Sequence, residues 1–196
     1  MRFKFAVIFF FTIAFLLNCN KIESNIPPNE YAVYNDFFNH ITESDEVEID
    51  SVSIAILDST SIRKDLSLNI ERITMLQKEW GFELSKELIN DFITKNSSKH
   101  FIQDHFETEL KYQIVVTNEI DEIFKNSFSW LIFEERFTNV KSILGFSRVG
   151  LNTQKDKALL FVSINCGPLC GSTWFYYLEN VDNKWILAHE KMLTVS

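Results

Sequence analysis

Lys157-Ala158-Leu159-Leu160-Phe161-Val162-Ser163-Ile164-Asn165-Cys166-Gly167-Pro168-Leu169-Cys170-Gly171-Ser172-Thr173-Trp174-Phe175-Tyr176-Tyr177-Leu178-Glu179 is the stretch that decides the architecture. Two runs rich in apolar, β-branched and aromatic residues flank the turn Gly167-Pro168-Leu169, and a connection this short joins only antiparallel strands. Working outward, a run from Ile143 to Leu151 precedes this hairpin across turn residues Asn152 to Asp156. Another, from Lys184 to Leu193, follows it across Asn180 to Asn183. The four runs predict an antiparallel meander over 143–193 with no helix between 157 and 178. Trp185 and His189 share parity, which places both on one face of the last strand, with Trp185 against the core.

Upstream the apolar period changes from two to between three and four. Tyr31, Tyr34, Phe37, Phe38 and Ile41 predict a helix over 28–41 that Pro28 can open. Val52, Ile54 and Ile56 alternate with Ser53 and Ala55 and predict a strand running to Asp58. Ile70, Ile73, Leu76 and Trp80 support a helix over 66–80 stopped by Gly81. Leu84, Leu88, Ile89, Phe92 and Ile93 support a second, with Ser85 as its N-cap and an end at Asn96. Leu110 to Val116 alternates as a strand, Asn118 is a candidate cap for a short helix, and Trp130, Phe133 and Phe137 continue a helical stripe. The expected fold class is α+β: N-terminal helices packed on one face of an antiparallel sheet that ends in the four-stranded C-terminal meander. Nineteen phenylalanines in a chain that is 46% hydrophobic supply its core, so most aromatic stripes are read as packing.

The first residues carry an address. Arg2 and Lys4 precede an uncharged run from Phe5 to Leu17, which fits the roughly 7–15 residues of a signal peptide and is shorter than a transmembrane helix requires. Leu16-Leu17-Asn18-Cys19 then resembles a bacterial lipobox, although Asn18 stands where a small residue is usual. The resemblance implies cleavage before Cys19 and acylation of that cysteine, with palmitate-type chains forming the membrane anchor. The expected organisation is a signal peptide over 1–18, a lipidated tether over 19–29 containing Pro27-Pro28, and a single globular domain over 30–196. The expected location is the bacterial cell envelope outside the cytoplasm, or a secreted or periplasmic form without lipid.

Charge narrows the partners. The formal net charge is −8, and loss of Arg2 and Lys4 with the signal makes it two units more negative. Lys and Arg are scattered, so no nucleic-acid footprint is expected, and the membrane is reached through the lipid alone. With Cys19 assigned to lipid, Cys166 and Cys170 remain as an even pair in an oxidising compartment and are expected to form a disulfide. The alternative is a metal or redox pair, with His189 on a neighbouring strand as a further ligand.

Gly145-Phe146-Ser147-Arg148-Val149-Gly150-Leu151-Asn152, Ala158-Leu159-Leu160-Phe161-Val162, Cys166-Gly167-Pro168-Leu169-Cys170-Gly171, Trp185 and Ser196 together resemble a group of uncharacterised bacterial exported proteins. In that group a Ser-Arg-Val-Gly-Phe-Asn strand, an Ala-Leu-Val strand, a glycine-rich turn and a Gly-Lys-Trp strand recur in this order. Here Leu151 replaces the Phe and Asn183 the Gly. The likeness covers about the last sixty residues, extends loosely to Asp91-Phe92 through Asn96 and the Trp130 helix, and implies a shared fold without a reaction.

Arg148, flanked by Phe146 and Val149, requires a carboxylate if buried, and Glu134, Glu135 and Glu190 are its candidate partners. Its structural reading is an ion pair; its functional reading is a clamp for an anionic ligand. Gly145-x-Ser147-x-x-Gly150 is one residue too long for a hydrolase nucleophile elbow. His100, Asp104, His105 and Glu107 form a His/acid cluster read as a solvated loop, and Glu43 to Asp50 an acidic run read as surface. The functional expectation is a non-enzymatic, membrane-tethered binding or envelope protein without a cofactor. A cysteine-dependent metal or redox protein is the alternative, and an unrecognised hydrolase stands third.

Overall fold

The computed structural model describes residues 26–43, 53–60, 70–125 and 129–195. The expected signal peptide, Cys19 and most of the acidic run lie outside these residues. The elements in chain order are α1 (Pro28–Glu43), β1 (Ser53–Leu57), α2 (Ile70–Trp80), α3 (Lys86–Lys95), β2 (Tyr112–Val115), α4 (Thr117–Ile123) and α5 (Ser129–Arg136). They continue with β3 (Val140–Phe146), β4 (Gly150–Leu151), β5 (Lys157–Gly167), β6 (Cys170–Val181) and β7 (Lys184–Val195). The fold class is α+β, and β5, β6 and β7 close the chain as antiparallel neighbours.

Two features of the sheet depart from the expectation. The sheet is mixed: in the order β2-β1-β3-β5-β6-β7, β1 lies parallel to both β2 and β3. The reason is connection length, because β1 reaches β2 through α2 and α3, and β2 reaches β3 through α4 and α5, and helical crossovers of this kind produce parallel pairs. Helices also cover both faces. α1 and the segment bearing Ile102, Phe106 and Leu110 pack on the face of Ile54, Ile56, Leu160, Val162 and Tyr176. On the other face α2 and α3 cover Leu159, Phe161, Phe175 and Tyr177, while α4 and α5 cover Ala55, Val115 and Ile143. Ala158 through Ser163 are accordingly all buried, with apolar side chains on both parities.

The run 143–151 is not one strand. β3 ends at Phe146, Ser147 to Val149 leave the ladder, and β4 resumes pairing with β5 through Gly150–Leu159 and Leu151–Ala158. In β7 a bulge intervenes between the pairs Leu178–Leu187 and Tyr177–His189, so Ala188 has no opposite residue. One extra residue inverts parity. Trp185 and Leu187 therefore face the α1 side, as expected for Trp185, whereas His189 turns to the opposite face beside Trp80 and Phe82.

The helix starts have local causes. Ser85 caps α3 by accepting the Leu88 N–H at 3.3 Å. α4 begins one residue before the expected cap at Asn118, and Val116 in the cap position makes no side-chain bond. Asp58, at the end of β1, substitutes from a distance: its Oδ1 accepts the Thr117 N–H at 2.9 Å and the Thr117 hydroxyl at 2.7 Å. The expected tether end at Asn29 falls inside the body, because Ile26 is buried in the core and α1 starts at Pro28.

Candidate functional site

Arg148 sits in the interruption between β3 and β4, where the backbone has left the sheet and the side chain points into the protein at 7% exposure. A buried guanidinium demands a counter-charge, and the partner is Glu30 in the first turn of α1, not Glu134, Glu135 or Glu190. Arg148 Nε donates to Glu30 Oε2 at 2.7 Å and Nη2 to Oε1 at 2.6 Å, a two-point pairing that only a planar guanidinium supplies. Those bonds raise the Arg148 pKa above its ordinary value against the opposing effect of burial. Glu30, fully buried, also accepts the Val149 N–H at 3.1 Å and lies 3.2 Å from Lys95 Nζ.

The surrounding groups extend this pair into a latch between α1, α3 and the 147–151 segment. Lys95 Nζ bridges Glu30, Asp91 at 2.7 Å and the Val149 carbonyl at 3.1 Å, while Asp91 Oδ2 accepts the Leu151 N–H at 2.7 Å. Asn96 accepts the Arg148 N–H through Oδ1 and donates through Nδ2 to the Arg148 and Phe92 carbonyls. Tyr34 donates to the Ser147 carbonyl at 2.8 Å, and burial, followed by the Glu30 carboxylate, pushes its hydroxyl well above the ordinary value of 10.0, so it stays a donor. Both Glu30 oxygens and all three Lys95 ammonium hydrogens have partners in this set. The arrangement therefore locks secondary structure together, and supports the ion-pair reading of Arg148 over the ligand clamp.

Ser147 belongs to the same lock. It is fully buried, its hydroxyl donates to the Arg148 carbonyl at 2.9 Å and accepts the Phe161 N–H at 2.9 Å, and so it bridges the ladder gap where β3 stops. A hydroxyl occupied by backbone groups is no exposed nucleophile.

Cys166 and Cys170 form a disulfide across the β5–β6 turn, with Cα atoms 5.1 Å apart, inside the range such a bond needs. Both cysteines are exposed, and Leu169 between them is 89% exposed, so the bond braces a protruding tip. His189 does not join them. It pairs with Tyr177, seven residues along β6 from Cys170, which at 3.3 Å of rise per residue is on the order of 20 Å away. Its ring instead lies 4.7 Å from that of Phe82 and 5.7 Å from that of Trp80.

The His/acid cluster is dispersed among separate partners. His105 Nε2 meets the Gln103 side chain at 3.1 Å, Asp104 accepts the Tyr112 hydroxyl at 2.5 Å, and Asn35 accepts the Glu107 N–H at 3.0 Å. Burial and Asp104 together push the Tyr112 hydroxyl up to about 12. Among the described residues no group of three or more His, Cys, Asp or Glu is placed to hold a metal ion.

Two open clefts flank α1. One, of about 610 Å³, is lined by Ile26, Tyr31, Gln103, His105 and Phe106. The other, of about 670 Å³, runs over the outer side of the latch past Asn29, Glu87, Asn90, Asp91, Thr94 and Lys155. Both volumes lie in the range of small-ligand clefts. Glu30 escaped the sequence reading as a partner of Asp91 and Lys95 because it lies on α1 and they lie one turn apart on α3; the loose likeness over Asp91 to Asn96 was the available signal. The chain matches no known family model, no curated protein and no solved structure.

Proposed function

We propose that this chain is an exported, lipid-anchored domain, acylated at Cys19 and acting outside the cytoplasm as a non-enzymatic binding or envelope protein. The carrying observation is the Cys166–Cys170 disulfide on an exposed tip. An accessible disulfide in a small loop persists where the compartment is oxidising, and reducing cytosol opens it. The amino-terminal sequence supports the same reading, with its charged start, short apolar run and Leu16-Leu17-Asn18-Cys19. The hydroxyl of Ser147, committed to the Arg148 carbonyl and the Phe161 N–H, counts against a serine-hydrolase reading.

The test is fractionation of cells expressing the full chain and its Cys19→Ser form. The wild type is expected in the membrane fraction with a mass increase from acyl chains at Cys19. The variant is expected in the soluble fraction. A Cys19→Ser protein still held by membranes overturns the lipid-anchor reading. A wild-type protein whose Cys166 and Cys170 are both free thiols when isolated from intact cells overturns the oxidising compartment.

A further inference from the structure

His100 is a partly buried titratable group that joins the ends of α3 and β1 without belonging to the lock around Arg148. Its ring Nε2 lies 3.0 Å from the carbonyl of Lys95, at the end of α3, and 3.2 Å from the Ser98 hydroxyl. Its backbone closes on the end of β1: the His100 N–H donates to Thr60 Oγ1 at 3.0 Å, and the His100 carbonyl accepts the Thr60 N–H at 2.8 Å. Ile102 N–H donates to the Asp58 carbonyl at 2.8 Å, so the 100–102 segment runs as a clip along 58–60. Ring Nδ1 is buried and has no hydrogen-bond partner among the described residues. With Nε2–H donated to Lys95, Nδ1 is a bare acceptor, which a neutral ring tolerates; protonation would make it a buried donor with nothing to receive it.

We propose that His100 is a pH-sensitive latch: neutral, it ties the 98–102 segment to α3 and β1, and its protonation releases that segment and opens the cleft beneath it. The cleft, of about 200 Å³, is lined by Asp58, Ser59, Lys99, Phe101, Val116 and Thr117. The charged groups around His100 come from every neighbouring element. Arg148 opposes its protonation and Glu30 favours it; Lys95 contributes the carbonyl on α3; Lys99 adjoins it in the chain. Asp58 lines the same cleft with Oδ1 committed to Thr117. Burial, then the Arg148 charge, lower its pKa below the ordinary 6.5, and the Lys95 carbonyl and Glu30 do not offset them. The released state therefore takes up a proton at a higher pH than the latched state. The latched state is favoured fully above 6.5 and loses ground as pH falls from there towards the lowered value. Such a device suits a domain bathed in external medium, although the proton response itself does not depend on the lipid anchor.

The test combines NMR titration of the four histidine rings with amide hydrogen exchange of the full chain and of His100→Gln, between about pH 7.5 and pH 5. Glutamine keeps an amide N–H for the Lys95 carbonyl and removes the titration. In the wild type the His100 ring is expected to titrate below 6.5. Corrected for intrinsic chemistry, exchange at Ile102 N–H should then rise by up to about tenfold per pH unit across the transition. The Gln form is expected to lack that rise. A His100 ring titrating at or above 6.5, or an equal acid response in His100→Gln, overturns the proposal. Should the Gln form fail to fold, the wild-type ring titration decides by itself.

Discussion

Arg148 shows how one buried charge organises its surroundings. Its desolvation is offset only because Glu30 meets it at two points and because Lys95, Asp91 and Asn96 satisfy what remains. Glu30→Gln leaves Arg148 facing one neutral acceptor in place of a carboxylate, while Lys95 keeps Asp91 and the Val149 carbonyl. It is expected to destabilise the protein by about 3–5 kcal/mol in a denaturant titration, and adding Arg148→Met should cost far less than Arg148→Met does alone. Equal and additive losses would show that the two side chains act independently. Gly150 is the second critical residue, because a Cβ there would lie 2.4 Å from Phe92 Cβ and 2.8 Å from Phe92 Cα on α3. Gly150→Ala forces α3 and β4 apart and is expected to cost about 1–3 kcal/mol, read as a lower denaturation midpoint. An unchanged midpoint would mean that α3 can move without loss.

At the scale of elements, the β5–β6 hairpin combines a long paired body with a short braced tip. The ladder from Lys157–Glu179 to Asn165–Gly171 continues past the disulfide by its own backbone bonds, and Leu159, Leu160, Phe161, Phe175 and Tyr177 are buried in helix-covered cores. The disulfide closes a sequence separation of only four residues, so its loop-entropy contribution is small. Replacing both Cys166 and Cys170 by Ser is expected to lower stability by no more than about 2 kcal/mol and to leave membrane targeting unchanged. Two titratable thiols in the oxidised protein, or release of a tightly held metal ion in the double variant, would restore the metal reading; a much larger loss of stability would point to another role for the turn. β7 teaches a different lesson. Alternation along Trp185, Leu187 and His189 is perfect in the sequence, yet the bulge at Ala188 moves His189 to the other face, where Trp80 and Phe82 receive it. A bulge is settled by how a strand must bend over its neighbours, and no local residue at this position announces it.

At the scale of the whole molecule, the proposed anchoring is expected to be separable from folding. Among the described residues the first buried side chain is that of Ile26, seven positions after Cys19. Cys19→Ser is therefore expected to change the fraction in which the protein is found while leaving its thermal midpoint where a delipidated wild type has it. A shifted midpoint would place the amino-terminal segment in the fold. The long apolar runs, the β5–β6 hairpin, α1 and the Ser85-capped α3 were all legible in the sequence, because periodicity, turn chemistry and capping act over a few residues. The pairing of Cys166 with Cys170 was legible from the cysteine count and the short turn between them. The parallel placement of β1 beside β2 and β3, the helices on both faces and the parity change at Ala188 were decided by how the elements pack. So was the choice of Glu30 for Arg148: the two stand 118 residues apart, and any buried carboxylate would have satisfied the chemistry. Composition and local pattern determined that Arg148 needed a partner. Only the tertiary structure, by bringing the first turn of α1 to the gap between β3 and β4, decided which carboxylate could reach it with both oxygens.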